Sequence, residues 1–455
     1  MTTYAFRFGF IGFAQDPSTW YNQTAMAVAT LAPGVGDTIL LNTPNGRLNG
    51  DAIVDQVSIA APPGAAPFTI GGSITAKQFT QSSALALSAG AILTLLGRDT
   101  ATPPTTITAA TSLVAATLAL TGPLTIQTGS LSAVQGSTVT ANSLILGAAT
   151  LNLTSSALTI RGTTTDAKIT TGTLSTGVSH VTLSSNASLT TDGAISIGAT
   201  GTADLTATTG ATVTANALTI GASGTGSASL TNATLNVAQR ITIGDAGTGT
   251  LSLNATTATA QDLAIALAQN ARGTLILAAG STLQLQSALS LVPAGTALVQ
   301  LTGAGTVLSS QFAGTFAGTG TTTLTFAAGA QARFAGLSAA ATQGGTAAIT
   351  LDGTNTGLTL AGPAFLGPAG TATLGLTNGA TLIAQDLTLG NAQVSDSAAA
   401  ITAAKVTGTT QSSLSLSAGG TLSATTLSRR QFLFGNQQPR QRKHRLARRH
   451  HSLRR

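Results

Sequence analysis

Apolar and polar residues alternate along most of this chain in short stretches that end at glycine. The clearest pattern, apolar-x-apolar-Gly-x-x-Gly-Thr, begins at Ile195, Leu218 and Ile241, so both spacings are 23 residues. A fixed period of about 20–50 residues is typical of repeat architectures. Each copy predicts a short strand followed by a glycine turn. Such a strand buries its apolar side only when similar strands stack above and below it.

The same alternation begins near Val57 and continues almost to Ser428. Its spacing drifts after Asn270 and becomes regular again over 370–390. Three short strands and three turns fit into 23 residues, which favours a parallel β-helix over a leucine-rich repeat with its helical segment. The sequence therefore predicts an all-β fold, a right-handed parallel β-helix (β-solenoid). Ile, Leu, Val and Ala would point inward, Thr and Ser would form outward ladders, and Gly and Asn would occupy corners that need a positive φ.

Three regions are predicted: an N-terminal cap over 1–55, solenoid repeats over 56–427 and a basic tail over 428–455. The only Trp and both Tyr lie in the first region, where aromatic residues alternate as in a strand. The aromatic residues that define this region are Tyr4, Phe6, Phe8, Phe10, Phe13, Trp20 and Tyr21. A solenoid needs a cap over its first apolar cross-section, so we interpret these residues as capping. A carbohydrate-binding aromatic platform is the alternative.

Composition supports strands rather than long helices. Charged residues make up 7% of the chain, all 13 acidic residues are Asp, and cysteine is absent. The lack of Cys excludes disulfides and thiolate chemistry. The N-terminus has no cationic segment followed by an apolar core, so it is not typical of a secretory signal. The chain is uncharged from Thr100 to Ile160, but Thr, Ser and Gly interrupt the apolar residues of this segment every few positions, which argues against a membrane span.

The net charge of +7 comes from the C-terminal tail. Residues 1–428 carry ten basic and 13 acidic residues, a net charge of −3, whereas Arg429–Arg455 contains ten basic residues and no acidic ones. Three interpretations remain open. The tail is the product of a shifted reading frame, which implies a longer parent protein, or a solvated disordered segment, or a polyanion-binding segment for nucleic acid or anionic lipid.

Candidate catalytic and metal-binding residues are few. His180 is the only histidine outside the tail, and we interpret it as a surface or turn residue without an acidic cluster. Asp51 and Asp55 are the closest acidic pair, but a glycoside hydrolase needs carboxylates that converge on one face. Three further acidic residues lie in the most regular repeats: Asp192, Asp204 and Asp245. They occupy different positions of the 23-residue period, so they are not expected to stack on one another.

Two further patterns have simpler explanations. Arg161 lies near Asp166 and Lys168, as basic and acidic groups do in polysaccharide lyases, but a solvated turn explains them. Gly224-Thr-Gly226 and Gly247-Thr-Gly249 superficially suggest phosphate loops, yet neither is followed by Lys-Ser/Thr and a helix. The sequence thus predicts no catalytic, cofactor-binding or metal-binding residues.

The segment 218–253 closely resembles the passenger regions of bacterial autotransporter-type surface proteins, whose rungs read Leu-x-Ile-Gly-x-x-Gly-x-Gly-x-Leu-x-Leu. The segment 370–390 matches in part. Trp20 followed by Pro33-Gly-Val-Gly-Asp37-Thr is similar to the segment that often precedes such solenoids, with Ala32 in place of Val. This resemblance implies a β-helix with an extracellular or cell-surface location. The pattern of the family's C-terminal outer-membrane barrel is not found in the sequence.

These observations predict a noncatalytic, secreted or cell-surface scaffold that mediates adhesion or self-association. Its expected partners are surface glycans or further copies of the chain along the Thr/Ser face, with no cofactor and no membrane span. Two alternatives remain: a β-helix enzyme acting on polysaccharide, and a polyanion-binding protein that depends on Arg429–Arg455.

Overall fold

A computed structural model describes residues 2–6, 11–42, 46–60, 66–96, 105–161, 169–171, 178–287, 289–291, 294–417 and 419–428. Phe8, Phe10, Asp166, Lys168 and the tail 429–455 lie outside these ranges. The chain consists of two compact units, and the boundary between them follows Ala258. Strands fill both units, and the only helix in the described ranges is a 3-10 turn over Pro17–Thr19.

The strands of the first unit are short and mostly four to seven residues long. The first seven are β1 (Thr3–Phe6), β2 (Ile11–Phe13), β3 (Trp20–Asn22), β4 (Ala27–Val28), β5 (Thr38–Leu41), β6 (Arg47–Asn49) and β7 (Ala52–Ile59). The next nine are β8 (Phe68–Ile70), β9 (Ser73–Gln81), β10 (Leu85–Leu87), β11 (Ile92–Leu95), β12 (Thr105–Ile107), β13 (Ala110–Val114), β14 (Thr117–Leu120), β15 (Pro123–Ile126) and β16 (Ser130–Val134). The following eight are β17 (Thr138–Ala141), β18 (Ser143–Leu146), β19 (Thr150–Thr154), β20 (Ala157–Ile160), β21 (Ile169–Thr171), β22 (Val178–Ser184), β23 (Ser188–Thr191) and β24 (Ala194–Ile197). The last seven are β25 (Thr202–Thr208), β26 (Thr212–Ala215), β27 (Ala217–Ile220), β28 (Thr225–Thr231), β29 (Thr234–Val237), β30 (Arg240–Ile243) and β31 (Thr248–Asn254).

The unit boundary falls within β32 (Thr257–Ala260). The second unit then contains β33 (Asp262–Ile265), β34 (Arg272–Ala278), β35 (Thr282–Leu285), β36 (Leu289–Leu291), β37 (Thr296–Thr302), β38 (Val307–Ser310), β39 (Gly314–Phe316), β40 (Thr321–Ala327), β41 (Gln331–Phe334) and β42 (Leu337–Ala339). It ends with β43 (Thr346–Asp352), β44 (Gly357–Leu360), β45 (Ala364–Leu366), β46 (Thr371–Thr377), β47 (Thr381–Leu389), β48 (Ala392–Ser397), β49 (Ala400–Gly408), β50 (Ser413–Ser417) and β51 (Thr421–Ser428).

Each unit is a parallel β-solenoid, as the sequence predicts. Over residues 178–254, each rung contributes one strand of seven residues and two strands of four residues. Each strand pairs in parallel with the equivalent strand of the next rung. The three stacks are exemplified by β25–β28–β31, β23–β26–β29 and β24–β27–β30. The second unit repeats this arrangement, for example in β37–β40–β43.

The 23-residue spacing is confirmed where the sequence pattern is clearest. Ile195 pairs with Leu218, and Leu218 pairs with Ile241. Elsewhere the rungs differ in length, since Thr296 pairs with Thr321 at 25 residues and Gln393 with Ser413 at 20. The drift after Asn270 is therefore a change of rung length rather than a loss of the fold.

Alternation of burial along each strand produces the core. In β28 the residues that point inward include Ala228 and Leu230, which are fully buried, whereas Ser227 and Ser229 are exposed. Leu230 stacks on Leu253 of the next rung, so the apolar interior continues from rung to rung. Burying a Leu side chain contributes about 1.5–3 kcal/mol, which makes this repeated stacking the main source of stability.

The corners only partly follow the expected chemistry. Asn232 and Asn378 adopt the predicted positive φ of 49° and 53°, but Thr209 and Ala255 do so as well, at 52° and 48°. A left-handed conformation costs a non-glycine residue roughly 1–2 kcal/mol. Packing of the adjacent long strands thus outweighs the local preference at these corners.

Tyr4, Phe6 and Trp20 of the aromatic N-terminus are buried, whereas Phe13 and Tyr21 are 58% and 38% exposed. Strand β3 pairs antiparallel with β1 and β4, in contrast to the parallel stacks. Trp20 is fully buried, donates its Nε1–H to the carbonyl of Ala14 at 3.1 Å, and meets Phe6 edge-to-face at 5.7 Å. Phe6 in turn packs against Phe68. A fully buried Trp20 cannot stack on a sugar, so it serves packing. The predicted limit at residue 55 falls inside β7.

Candidate functional site

The most regular outward surface belongs to the long strands β25, β28 and β31. Their registers place twelve outward residues in four columns of three, and ten of the twelve carry a hydroxyl group. We call this surface the hydroxyl face. Its columns are Thr202–Thr225–Thr248, Asp204–Ser227–Thr250, Thr206–Ser229–Ser252 and Thr208–Thr231–Asn254.

The hydroxyl face has two repeat distances that follow from strand geometry. Neighbouring rungs lie about 4.8 Å apart, and alternate residues along one strand lie about 6.6 Å apart. All twelve side chains are exposed or half-buried. Each hydroxyl group can donate one hydrogen bond and accept two. The surface is therefore a regular array of neutral donors and acceptors, with Asp204 as its single charged member.

His180 lies at the surface and has one acidic neighbour rather than an acidic cluster. His180 and Asp204 are register partners on β22 and β25, and Nδ1 lies 2.5 Å from the carboxylate Oδ1. A strict spacing of 23 residues does not align these two residues, because the rung that joins them has 24. Their side chains are 51% and 33% exposed, and such surface pairs contribute about 0–1 kcal/mol.

The acidic pair of the N-terminal region does not form a shared site. The Asp55 carboxylate forms an ion pair with Lys77 Nζ at 2.7 Å, whereas Asp51 accepts the backbone N–H of Ser73 at 3.0 Å. Each carboxylate thus fixes a different contact between rungs. This arrangement differs from the converging carboxylates of a glycoside hydrolase.

The remaining acidic candidates lie on separate parts of the solenoid. Asp192 follows β23 at a corner, and Asp245 lies in the turn after β30, with both side chains exposed. Asp204 belongs to the hydroxyl face. Arg161 is exposed at the end of β20, and its two predicted neighbours lie outside the described residues.

The glycine turns cannot cradle a phosphate, because their amides already have acceptors. In the two candidate loops, the N–H groups of Gly224, Thr225, Gly247 and Thr248 all donate to carbonyls of the preceding rung. A phosphate loop needs free amides that converge on the ligand. These turns are packing elements of the stack.

The second unit displays a longer but narrower ladder. Four exposed threonines begin consecutive long strands and stack in register: Thr296, Thr321, Thr346 and Thr371. The adjacent columns contain Leu298, Ala348 and Gly375. The array of hydroxyl groups is therefore narrower here than in the first unit.

Two carboxyl groups of the second unit have shifted pKa values in opposite directions. Hydrogen bonds from Thr377 Oγ1 at 2.6 Å and Asn378 Nδ2 at 2.7 Å lower the pKa of Asp352. Burial raises the pKa of Asp396, which is 1% exposed.

Across the described ranges, no three side chains of His, Asp, Glu or Cys come together as a metal-binding group. No helix in these ranges has the length and apolarity needed to cross a membrane. No protein-family model, curated protein or solved structure matches the chain.

Proposed function

We propose that the protein is a noncatalytic, autotransporter passenger-like scaffold at the cell surface, and that its hydroxyl face forms adhesive contacts. The observation that supports this proposal is the four-by-three array on β25, β28 and β31. Rigid parallel stacking fixes the spacing of its side chains, so a partner meets ordered groups and little side-chain entropy is lost on contact.

The chemistry of the array favours neutral, hydroxyl-rich partners. Ten Thr and Ser hydroxyl groups offer both donors and acceptors, as sugar hydroxyls do. Surface glycans and a second hydroxyl face fit this pattern, whereas a polyanion would find no basic side chain among the twelve. Individual contacts are weak, and adhesion would depend on many of them acting together.

A lysine substitution experiment tests this function. The variant Ser227→Lys/Ser229→Lys/Thr250→Lys places three charged side chains on the hydroxyl face. The control Thr212→Lys/Thr214→Lys/Thr234→Lys adds the same charge to the second stack, at outward positions of β26 and β29. Adsorption of the full chain to layers of neutral cell-surface polysaccharide is measured by quartz crystal microbalance, and light scattering measures self-association.

We expect the face variant to lose adsorption or self-association at least tenfold and the control to retain both. Circular dichroism checks that the variants keep their strands. Equal adsorption and equal self-association of the wild type and the face variant would contradict the proposed role of the hydroxyl face.

A further inference from the structure

Exposed apolar side chains are concentrated in a short segment of the N-terminal cap. We define the cap patch as Tyr21, Met26, Val28, Leu31 and Val35. Their exposed fractions are 38%, 81%, 49%, 72% and 73%, in the same order. Five large apolar residues within 15 positions are therefore open to solvent. Isolated exposed apolar residues are ordinary on protein surfaces, but a continuous group of them indicates an interaction site.

The local structure places two of these residues side by side, and the other three lie in the turn and the segment next to them. Tyr21 of β3 and Val28 of β4 are register partners in an antiparallel pair, so their side chains lie side by side on the same face. Met26 lies in the turn that joins these two strands. Leu31 and Val35 follow on the segment that leads from β4 to β5.

Hydrogen bonds hold the backbone of the cap patch in place. The Asn22 carboxamide accepts the N–H of Ala25 at 2.8 Å, which closes the turn before Met26. The Asp37 carboxylate accepts the N–H groups of Gly34 and Thr2 at 3.0 and 3.2 Å, which ties the second half of the patch to β1. Trp20, the residue before Tyr21 in β3, is fully buried and anchors this strand in the core. The exposed side chains thus sit on an ordered backbone, which lowers the entropy cost of docking.

The lack of charge and the exposed area of the cap patch indicate which molecule docks on it. Residues 20–36 contain no charged side chain, so two copies of this surface meet without electrostatic repulsion, and a charged partner gains no complementary group. The five side chains expose on the order of 500 Å². A pair of such patches buries about 1,000 Å² in total, which is near the lower limit for a specific protein interface.

We propose that the cap patch is a self-association site, in which a second copy of this chain docks through its own cap patch about a two-fold axis. An isologous contact of this kind needs only one self-complementary surface. The proposal rests on the self-association part of the proposed function and adds a surface that is separate from the hydroxyl face.

The molar mass of the full chain in solution tests the proposal. Light scattering after size exclusion, at about 100 µM, is expected to give a dimer, since an interface of this size is typical of weak association. Met26→Asp/Leu31→Asp is expected to weaken dimerisation at least tenfold. Phe365→Asp/Ile383→Asp is the matched control, because it changes two apolar residues of the second unit that are 41% and 45% exposed. This control is expected to remain dimeric.

Cysteine cross-linking identifies the surface without relying on loss of association. The chain has no cysteine, so Val28→Cys introduces a single thiol in the cap patch and Thr250→Cys introduces one in the hydroxyl face. We expect Val28→Cys to form a disulfide-linked dimer under mild oxidation faster than Thr250→Cys.

The outcomes separate the two proposals. If Thr250→Cys cross-links and Val28→Cys does not, the cap proposal is wrong while self-association through the hydroxyl face stands. A monomeric wild type at about 100 µM also overturns the cap proposal and leaves adhesion to glycans as the proposed function. A dimer that survives Met26→Asp/Leu31→Asp unchanged overturns it as well.

Discussion

Asp396 occupies a position that its neighbours in the stack fill with leucine. Its register partners one rung away on either side are Leu376 and Leu416. The Oδ1 atom accepts the N–H of Ala399 at 3.1 Å, but Oδ2 is buried without a partner among the described residues. A buried carboxylate oxygen without a partner costs about 1–3 kcal/mol or more. Asp396 is therefore a source of instability near neutral pH.

The raised pKa of Asp396 fixes the sign of its pH dependence. The fold favours the neutral carboxyl group, so the unfolded state loses the proton first, near pH 4, and the free energy of unfolding falls as the pH rises from there. We expect Asp396→Asn to raise the free energy of unfolding at pH 7 by about 1 kcal/mol and to have little effect at pH 3. Urea midpoints at both pH values check this. A larger gain at pH 3 than at pH 7 would be the opposite of the expected result.

Asp352 gives the opposite pH dependence in the same unit. Its pKa is lowered by hydrogen bonds from Thr377 and Asn378, so its stabilising effect is present above about pH 4 and is lost as the pH falls through the lowered pKa. Asp352→Asn is expected to lower the urea midpoint at pH 7 and to match the wild type near pH 2. A midpoint at pH 7 equal to that of the wild type would show that these hydrogen bonds add nothing to stability.

At the scale of the strand and its turn, the glycines of the 23-residue pattern are set by contacts between rungs. Gly249 points inward from β31, and a Cβ atom there would lie 2.2 Å from the carbonyl oxygen of Ile220. Gly221 has a φ of 71° and faces the same corner. The pattern therefore has glycine where the backbone of a turn packs closely against the next long strand.

Gly249→Ala tests this packing. The added methyl group overlaps backbone atoms that cannot move independently, so we expect a loss of about 1–3 kcal/mol in the free energy of unfolding. Gly34→Ala is the control, because a Cβ atom at Gly34 would meet nothing within 4 Å. The control is expected to change stability by less than about 0.5 kcal/mol. Equal effects of the two substitutions would rule out the packing explanation.

The sequence predicts the strands well, but it predicts less well which residues contact one another across rungs. The alternation around Leu158-Thr-Ile160 and Leu275-Ile-Leu277 corresponds to β20 and β34, because inward apolar residues are what a stacked strand requires. Contacts across rungs depend on the length of every turn between them. The His180–Asp204 pair is an example, since its rung is one residue longer than the period.

At the scale of the whole molecule, the hydroxyl face was predictable as a chemical type but not as a site. Outward Thr and Ser follow from strand alternation, whereas the four-by-three array follows from a register that holds over β25, β28 and β31. The cap patch depends on tertiary packing, which periodicity does not encode. Asp396 is different, because the alternation Ala392-x-Val394-x-Asp396 places it on the inward side of β48.

In-register stacking places equivalent residues of successive rungs side by side, and spin labelling of the cysteine-free chain measures this proximity. Ser229 and Ser252 are neighbours in one column, about 4.8 Å apart, whereas Thr182 and Ser252 are separated by three rungs. Paired cysteine variants at these positions, labelled with nitroxides, are compared by continuous-wave electron paramagnetic resonance. We predict strong dipolar broadening for Ser229→Cys/Ser252→Cys and much weaker broadening for Thr182→Cys/Ser252→Cys. Spectra of the first pair that equal the sum of its two singly labelled variants would contradict the stacked solenoid.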